Sequence, residues 1–183
     1  MSHLTAAELD DGFSQLQPFP ADGGELRLIV RRPVVGSREV IATASLDPAV
    51  GLVGDSWLAR GSRHTLDGAA VPDAQITLMN ISVAMLVARS LDRVPLAGDQ
   101  LYVDLDLSIV NLPASTRLAI GDAVLEVTPP PHTGCAKFVD RFGEDAMRFV
   151  NSAFGRSLRL RGMNARVVTA GVVKVGDQVK VLR

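Results

Sequence analysis

Aromatic side chains are scarce in this chain. They make up 4% of 183 residues, while hydrophobic residues reach 47%. The core must therefore be aliphatic, built from Val, Leu, Ile and Ala, which favours many short strands. Only one cysteine is present, so no intramolecular disulfide can form. The start of the chain lacks the basic and apolar blocks of a secretory signal, and no apolar run reaches the roughly 20 residues of a membrane-spanning helix. Together these absences predict a soluble protein of a reducing cytoplasm. No Lys or Arg occurs in residues 1 to 25, which hold five acids. The segment from Arg156 to Arg183 is the reverse, with seven basic residues against Asp177 alone. Within a net charge of −1, such a segment suits a small anion better than a nucleic-acid backbone, which demands a broad basic face; a solvated strand edge is the alternative.

Several motifs are missing as well. There is no G-x-x-x-x-G-K-[ST], no G-x-G-x-x-G between a strand and a helix, and no Gly-x-Ser-x-Gly, which removes the P-loop, the Rossmann turn and the serine-hydrolase elbow. The spacings of a protein-ligated zinc or iron site, C-x-x-C and H-E-x-x-H, are absent too.

What is present reads as one β-rich domain. Residues 4 to 17 form a short helix stopped by Pro18-Phe19-Pro20, and residues 1 to 24 are an N-terminal appendage. Strands are expected at Leu26–Arg32, Glu39–Ala44, Leu101–Leu107, Arg117–Thr128 with a turn at Gly121-Asp122, Leu158–Arg161, Ala165–Val168, Gly171–Val175 and Gln178–Leu182. Helical spacing of Ile76, Met79, Val83, Leu86 and Val87 predicts a buried helix over 73–90. A second helix is expected over 143–154, with Phe149 and Phe154 on its core face and Gly155 as its stop. The pairs Gly98-Asp99, Gly121-Asp122 and Gly176-Asp177 read as turns between strands.

The segment Val127–Phe138, VTPPPHTGCAKF, carries the most chemistry. Three prolines stiffen a loop that delivers Cys135 just before a helical region. A thiolate is both nucleophile and metal ligand, and Lys137, His132 and the start of the following helix would favour it. On residue chemistry alone, a lone cysteine is more often a small packed hydrophobe. His132 is a proton donor, a ligand or an ordinary loop residue, and the last is the commoner case. The second segment is Gly51–His64, GLVGDSWLARGSRH. Its glycines would let backbone approach a ligand around Asp55 and Trp57, and Arg60 and Arg63 suit phosphate; a surface turn is the alternative.

In order along the chain, GLVGDSW at 51–57, ITLMN at 76–80, LAIGDAVLEVTPPPHTGCAKF at 118–138 and GMNARVVTAGVVKVGDQVKV at 162–181 resemble the MOSC domain family, the module related to the C-terminal part of molybdenum-cofactor sulfurases. The resemblance covers residues 25 to 183. It implies a mainly β fold, a closed and mostly antiparallel β-barrel of the pyruvate-kinase type with a few helices. It also implies the molybdenum–pterin cofactor, with Cys135 as molybdenum ligand or sulfur acceptor and N-hydroxylated compounds as substrates reduced with a partner reductase. The alternative is a non-catalytic module carrying a persulfide on Cys135, supplied by a pyridoxal-phosphate-dependent desulfurase. A barrel that keeps only a partner-binding surface is a third reading. Beside the resemblance, residue type and proximity mark His132 and Lys137 for chemistry, and Asp55, Arg63, Thr133, Arg161, Asn164 and Arg166 for the cofactor. Two departures stand out. Gly134 occupies the place where the family often has Pro, and Asp99-Gln100 the place of an Arg-Asn or Glu-Asn pair.

Overall fold

The computed structural model describes residues 3–62 and 65–183. Its strands are β1 (Gly24–Arg31), β2 (Glu39–Ile41), β3 (Thr43–Asp47), β4 (Gly51–Leu52), β5 (Ile76–Asn80), β6 (Leu101–Asp104), β7 (Arg117–Ile120), β8 (Ala123–Pro131), β9 (Met163–Thr169), β10 (Gly171–Lys174) and β11 (Gln178–Leu182). The helices are α1 (Ala6–Ser14), α2 (Trp57–Arg60), α3 (Ile81–Ala88), α4 (Ala136–Phe142), α5 (Glu144–Asn151) and α6 (Ala153–Ser157), with 3-10 turns at Pro72–Ala74 and Leu91–Ala97.

Seven strands close a barrel in the order β1-β11-β7-β8-β9-β5-β6 and back to β1. Closure is made by Gly24 pairing with Val179 on one side of β1 and Leu26 with Val103 on the other. The barrel is mixed: β5 and β6 run parallel, while the other barrel pairs are antiparallel. A small sheet of β10, β3 and β4 adds to it, and β2 extends β1.

Two cores follow from the alternation of strand side chains. Ile76 and Leu78 of β5 and Leu101 and Val103 of β6 point into the barrel, where they meet Leu26, Leu118, Leu125 and Val179. Met79 and Tyr102, on the opposite face, pack against a helical layer with Val83, Phe138, Phe142 and Phe149. The first helix joins this second core. Thr5 caps it with a capping box, Leu9 is fully buried, and Phe13 meets Phe149 edge-on.

Three elements differ from expectation. Residues 76–80 are a strand, not the first half of a helix. All five are buried because a strand sandwiched between two cores is apolar on both faces, and such a run looks the same as a buried helix. Asn80 then caps α3 by accepting from Ser82 and Val83 N–H. The helix over 143–154 breaks at Ser152, leaving Phe154 half exposed, and Gly155 lies inside α6. A Cβ there would sit 2.3 Å from Phe149 O, so the close turn between α5 and α6 excludes any side chain. Leu158–Arg161 is a turn rather than a strand, with Arg159 at φ +50° and both Leu160 and Arg161 buried. The alternating Leu and Arg mimicked a two-faced strand, but Arg161 turns inward to a buried acid.

Candidate functional site

The site assembles around the residues leading into β6. After the 3-10 turn at Leu91–Ala97, Gly98 takes φ +95° and turns the chain so that Asp99 points inward with no exposed surface. Arg161 Nη1 donates to Asp99 Oδ2 at 2.7 Å, and its Nη2 donates to Ala97 O at 2.9 Å. Its guanidinium lies over the Phe138 ring, 5.1 Å from the centroid, which ties the turn before β9 to α4.

His132 completes the network through Nε2, 2.9 Å from Asp99 Oδ1. Burial opposes ionisation of Asp99, yet the Arg161 guanidinium and His132 together outweigh it and hold its carboxyl well below the usual carboxylate range. Burial, reinforced by Arg161, pushes the pKa of His132 down from 6.5 against the pull of Asp99. The imidazole is therefore neutral at pH 7. Because the carboxylate only accepts, Nε2 carries the proton and Nδ1 keeps its lone pair.

A second buried pair lies alongside. Asp55, whose side chain is fully buried, accepts from Arg32 Nε at 2.8 Å and Nη2 at 2.9 Å, a bidentate pairing, and from Trp57 N–H at 2.9 Å. Arg32 Nη1 continues to Gly98 O at 2.9 Å, so both ion pairs grip the same turn. Arg38 and Arg141 approach Gly98 from outside. A Cβ on that glycine would lie 3.5 Å from Arg38 Nη2 and 3.9 Å from Arg141 Nη1.

Positive charge is in excess here. Arg32, Arg38, Arg60, Arg141 and Arg161 stand against two carboxylates, Asp55 and Asp99, while His132 is neutral. Burial, with Arg141 and Arg32 nearby, lowers the Arg38 pKa, and burial with Arg32 lowers that of Arg60. The Nε of half-buried Arg38 has no acceptor among the described residues. Crowded cations with an orphaned donor suit an anion.

Cys135 sits at the start of α4 as its exposed N-cap residue. Its position is fixed from behind: Asn151 accepts from Gly134 N–H at 2.9 Å and donates to Gly134 O at 3.1 Å. This accounts for glycine at 134. A Cβ there would press within 3.4 Å of Asn151, Met147 and Val150. From Cys135, α4 runs to Arg141, so the thiol and the cation cluster stand toward opposite ends of one helix, six residues or about 9 Å apart along its axis.

Of the residues expected from sequence, Asp55, His132 and Arg161 converge on the Gly98-Asp99 turn. Cys135, Thr133 and Lys137 are exposed on the adjoining loop and first turn of α4. Asn164 braces the same loop by donating to Pro130 O at 3.0 Å. Arg166 lies elsewhere, paired with Glu126 at 2.6 Å. Arg63 falls outside the described residues. The basic end of the chain contributes only Arg161, while Arg32, Arg38, Arg141, Asp99 and Asn151 were not foreseen. Asp99 was visible only as a turn residue and as part of the Asp99-Gln100 departure from the family pair. Among the described residues no group of three or more His, Cys, Asp or Glu side chains forms a metal cluster, and no helix is long and apolar enough to cross a membrane.

A family model, that of the MOSC domain, matches residues 65–180. Among solved structures, the YUAD protein from Bacillus subtilis superimposes with a TM-score of 0.65 at 15% identity, covering 86% of this chain and 94% of that one. YiiM from Escherichia coli gives 0.56 at 16% identity over 87% and 70% of the two chains. YiiM from Geobacillus stearothermophilus gives 0.55 at 13% identity over 91% and 76%. At these identities the likeness to solved structures is one of fold. No curated protein matches the sequence significantly.

Proposed function

The chain belongs to the MOSC domain family, and from that premise we propose that it binds a molybdenum–pterin cofactor with Cys135 as the soft ligand to the metal. The observation that carries this reading is the pairing of an exposed, backbone-braced thiol with a surplus of guanidinium groups at the other end of the same helix. A thiolate is a suitable donor to a high-valent metal that arrives with sulfur ligands of its own, and a phosphate-bearing tail requires cations in a shielded place. Among the described residues Arg38 and Arg141 form no ion pair, whereas Asp55 and Asp99 already neutralise Arg32 and Arg161. Arg38 Nε would find in a phosphate oxygen the acceptor it lacks.

When bound, the cofactor held by Cys135 and the arginine cluster would supply oxygen-atom-transfer chemistry for N-hydroxylated substrates, with electrons from a partner reductase. The residues of this chain bind and orient. Asn151 and Asn164 hold the loop that presents Cys135, Asp99 fixes the ring of His132, and Nδ1 of His132 offers a hydrogen-bond acceptor.

The exposure of Cys135 favours a second reading, in which it carries sulfur between proteins. The Cys135 thiolate would attack the terminal sulfur of a persulfide on a pyridoxal-phosphate-dependent desulfurase. A new S–S bond forms on Cys135, and the desulfurase cysteine leaves as thiolate. One experiment separates the two. Protein made in a molybdenum-replete host and purified without oxygen is expected to contain molybdenum and pterin in equal amounts. Absence of both, with Cys135-dependent labelling by desulfurase and radiolabelled cysteine, supports the carrier instead. Absence of all three signals contradicts both readings.

A further inference from the structure

Beside the Asp99–Arg161–His132 network, a cleft of about 210 Å3 opens between the proline-rich end of β8 and the turn at 158–162. Its floor is apolar, formed by Val150 and Met163, with Ile109 and the three prolines at 129–131 along the rim. Its polar lining is positive or neutral. Arg156, Arg159 and Arg161 contribute to the walls with His132, and no carboxylate lines it among the described residues.

Arg159 is the unusual member. It lies on a non-glycine residue at φ +50°, a conformation that L-residues rarely adopt and that concentrates where function requires it. Burial lowers its pKa, and among the described residues it forms no ion pair with an acid. Its contacts run through Nη1, which donates to Leu112 O at 2.7 Å and Leu107 O at 3.3 Å and touches Met163 Sδ at 3.7 Å. A desolvated guanidinium without a counter-charge is costly unless an anion neutralises it. Arg161 differs, since Asp99 has already matched its charge.

We propose that this cleft binds a small organic anion, with its apolar body between the proline rim and the Val150 and Met163 floor and a carboxylate or similar head on Arg159 and Arg156. The volume corresponds to about seven liquid-water volumes at roughly 30 Å3 each, enough for one ring or short chain with its head group. The site shares the His132 wall with the candidate functional site but does not depend on the cofactor reading.

Benzoate and benzamide, which match in shape and differ in charge, test this on the purified protein by amide chemical shifts. Benzoate is expected to move the resonances of Ile109, Gly155 and Gly162 saturably. Benzamide is expected to bind at least about tenfold more weakly, as fits loss of a charge-assisted hydrogen bond. Arg159→Met should erase the preference for benzoate. Ile109→Trp, at the half-exposed rim, should block the cleft while keeping Arg159, and so gives an independent readout if the arginine variant fails to fold. Equal binding of the two probes, shifts confined to other regions, no saturable shift, or benzoate binding that survives Ile109→Trp would each overturn the proposal.

Discussion

Arg161 and Asp99, 62 residues apart in sequence, form a 2.7 Å ion pair with side chains 8% and 0% exposed. That single pair locks the turn before β9 onto the turn before β6, and His132 reaches the same carboxylate. The loop presenting Cys135 is thereby tied to the barrel through charge as well as through backbone hydrogen bonds.

Asp99→Asn keeps the volume but strands the Arg161 charge. We expect a loss of about 3–5 kcal/mol at pH 7, the cost of breaking one side of a buried pair. Urea unfolding measures it, and a change within about 0.5 kcal/mol, ordinary for a surface site, would contradict the assignment. The folded-state pKa of Asp99 lies below its unfolded value of 3.8. Its contribution is therefore fully present above that value and is lost only as the pH falls through the depressed folded pKa.

The His132 prediction concerns milder acid. Folding lowers its pKa from 6.5, so below that value the unfolded chain binds more protons than the folded one. Stability should fall as the pH drops from 7.5 to 5, and His132→Gln, which keeps a donor toward Asp99 but does not titrate, should flatten that part of the profile. Urea midpoints at both pH values decide it. Identical slopes in the two proteins would place the titration elsewhere.

Arg38→Met separates stability from binding. The guanidinium is half-buried, crowded by Arg141 and Arg32, and leaves Nε without an acceptor among the described residues. Its removal should leave stability unchanged or raise it by up to about 1 kcal/mol, by relieving an unsatisfied donor. Pterin retained after purification should nevertheless fall several-fold. Thermal unfolding and pterin fluorescence read the two effects independently, and loss of stability with unchanged pterin would reverse the assignment.

Much of the barrel was legible in the sequence because its strands alternate. The hairpin of β7 and β8 around Gly121-Asp122, and strands β9 to β11, follow directly from pattern and turn chemistry. Where that logic failed, long-range contacts were responsible. Ile76–Asn80 lies between two cores, so its pattern carries no face, and Leu158–Arg161 alternates only because Arg161 turns inward to meet Asp99. Cys135 stood out through its Pro-rich approach and His132 through its place beside it. Asp99 was marked only as one of several Gly-Asp turns and as part of a departure from the family pair, with no sign of its buried partners. Arg32, Arg38 and Arg141 come from three separate segments, and Asn151 looks like any residue near a helix end. Only tertiary folding brings them to the Gly98 turn and to the backbone behind the thiol.

X-ray absorption at the molybdenum edge tests the central claim most directly. Wild-type protein purified without oxygen is expected to show one more sulfur neighbour to molybdenum than Cys135→Ser, with both proteins equally folded. A serine hydroxyl nearly preserves the volume but removes the soft donor. An unchanged sulfur shell in the variant, with molybdenum content preserved, would contradict ligation by Cys135.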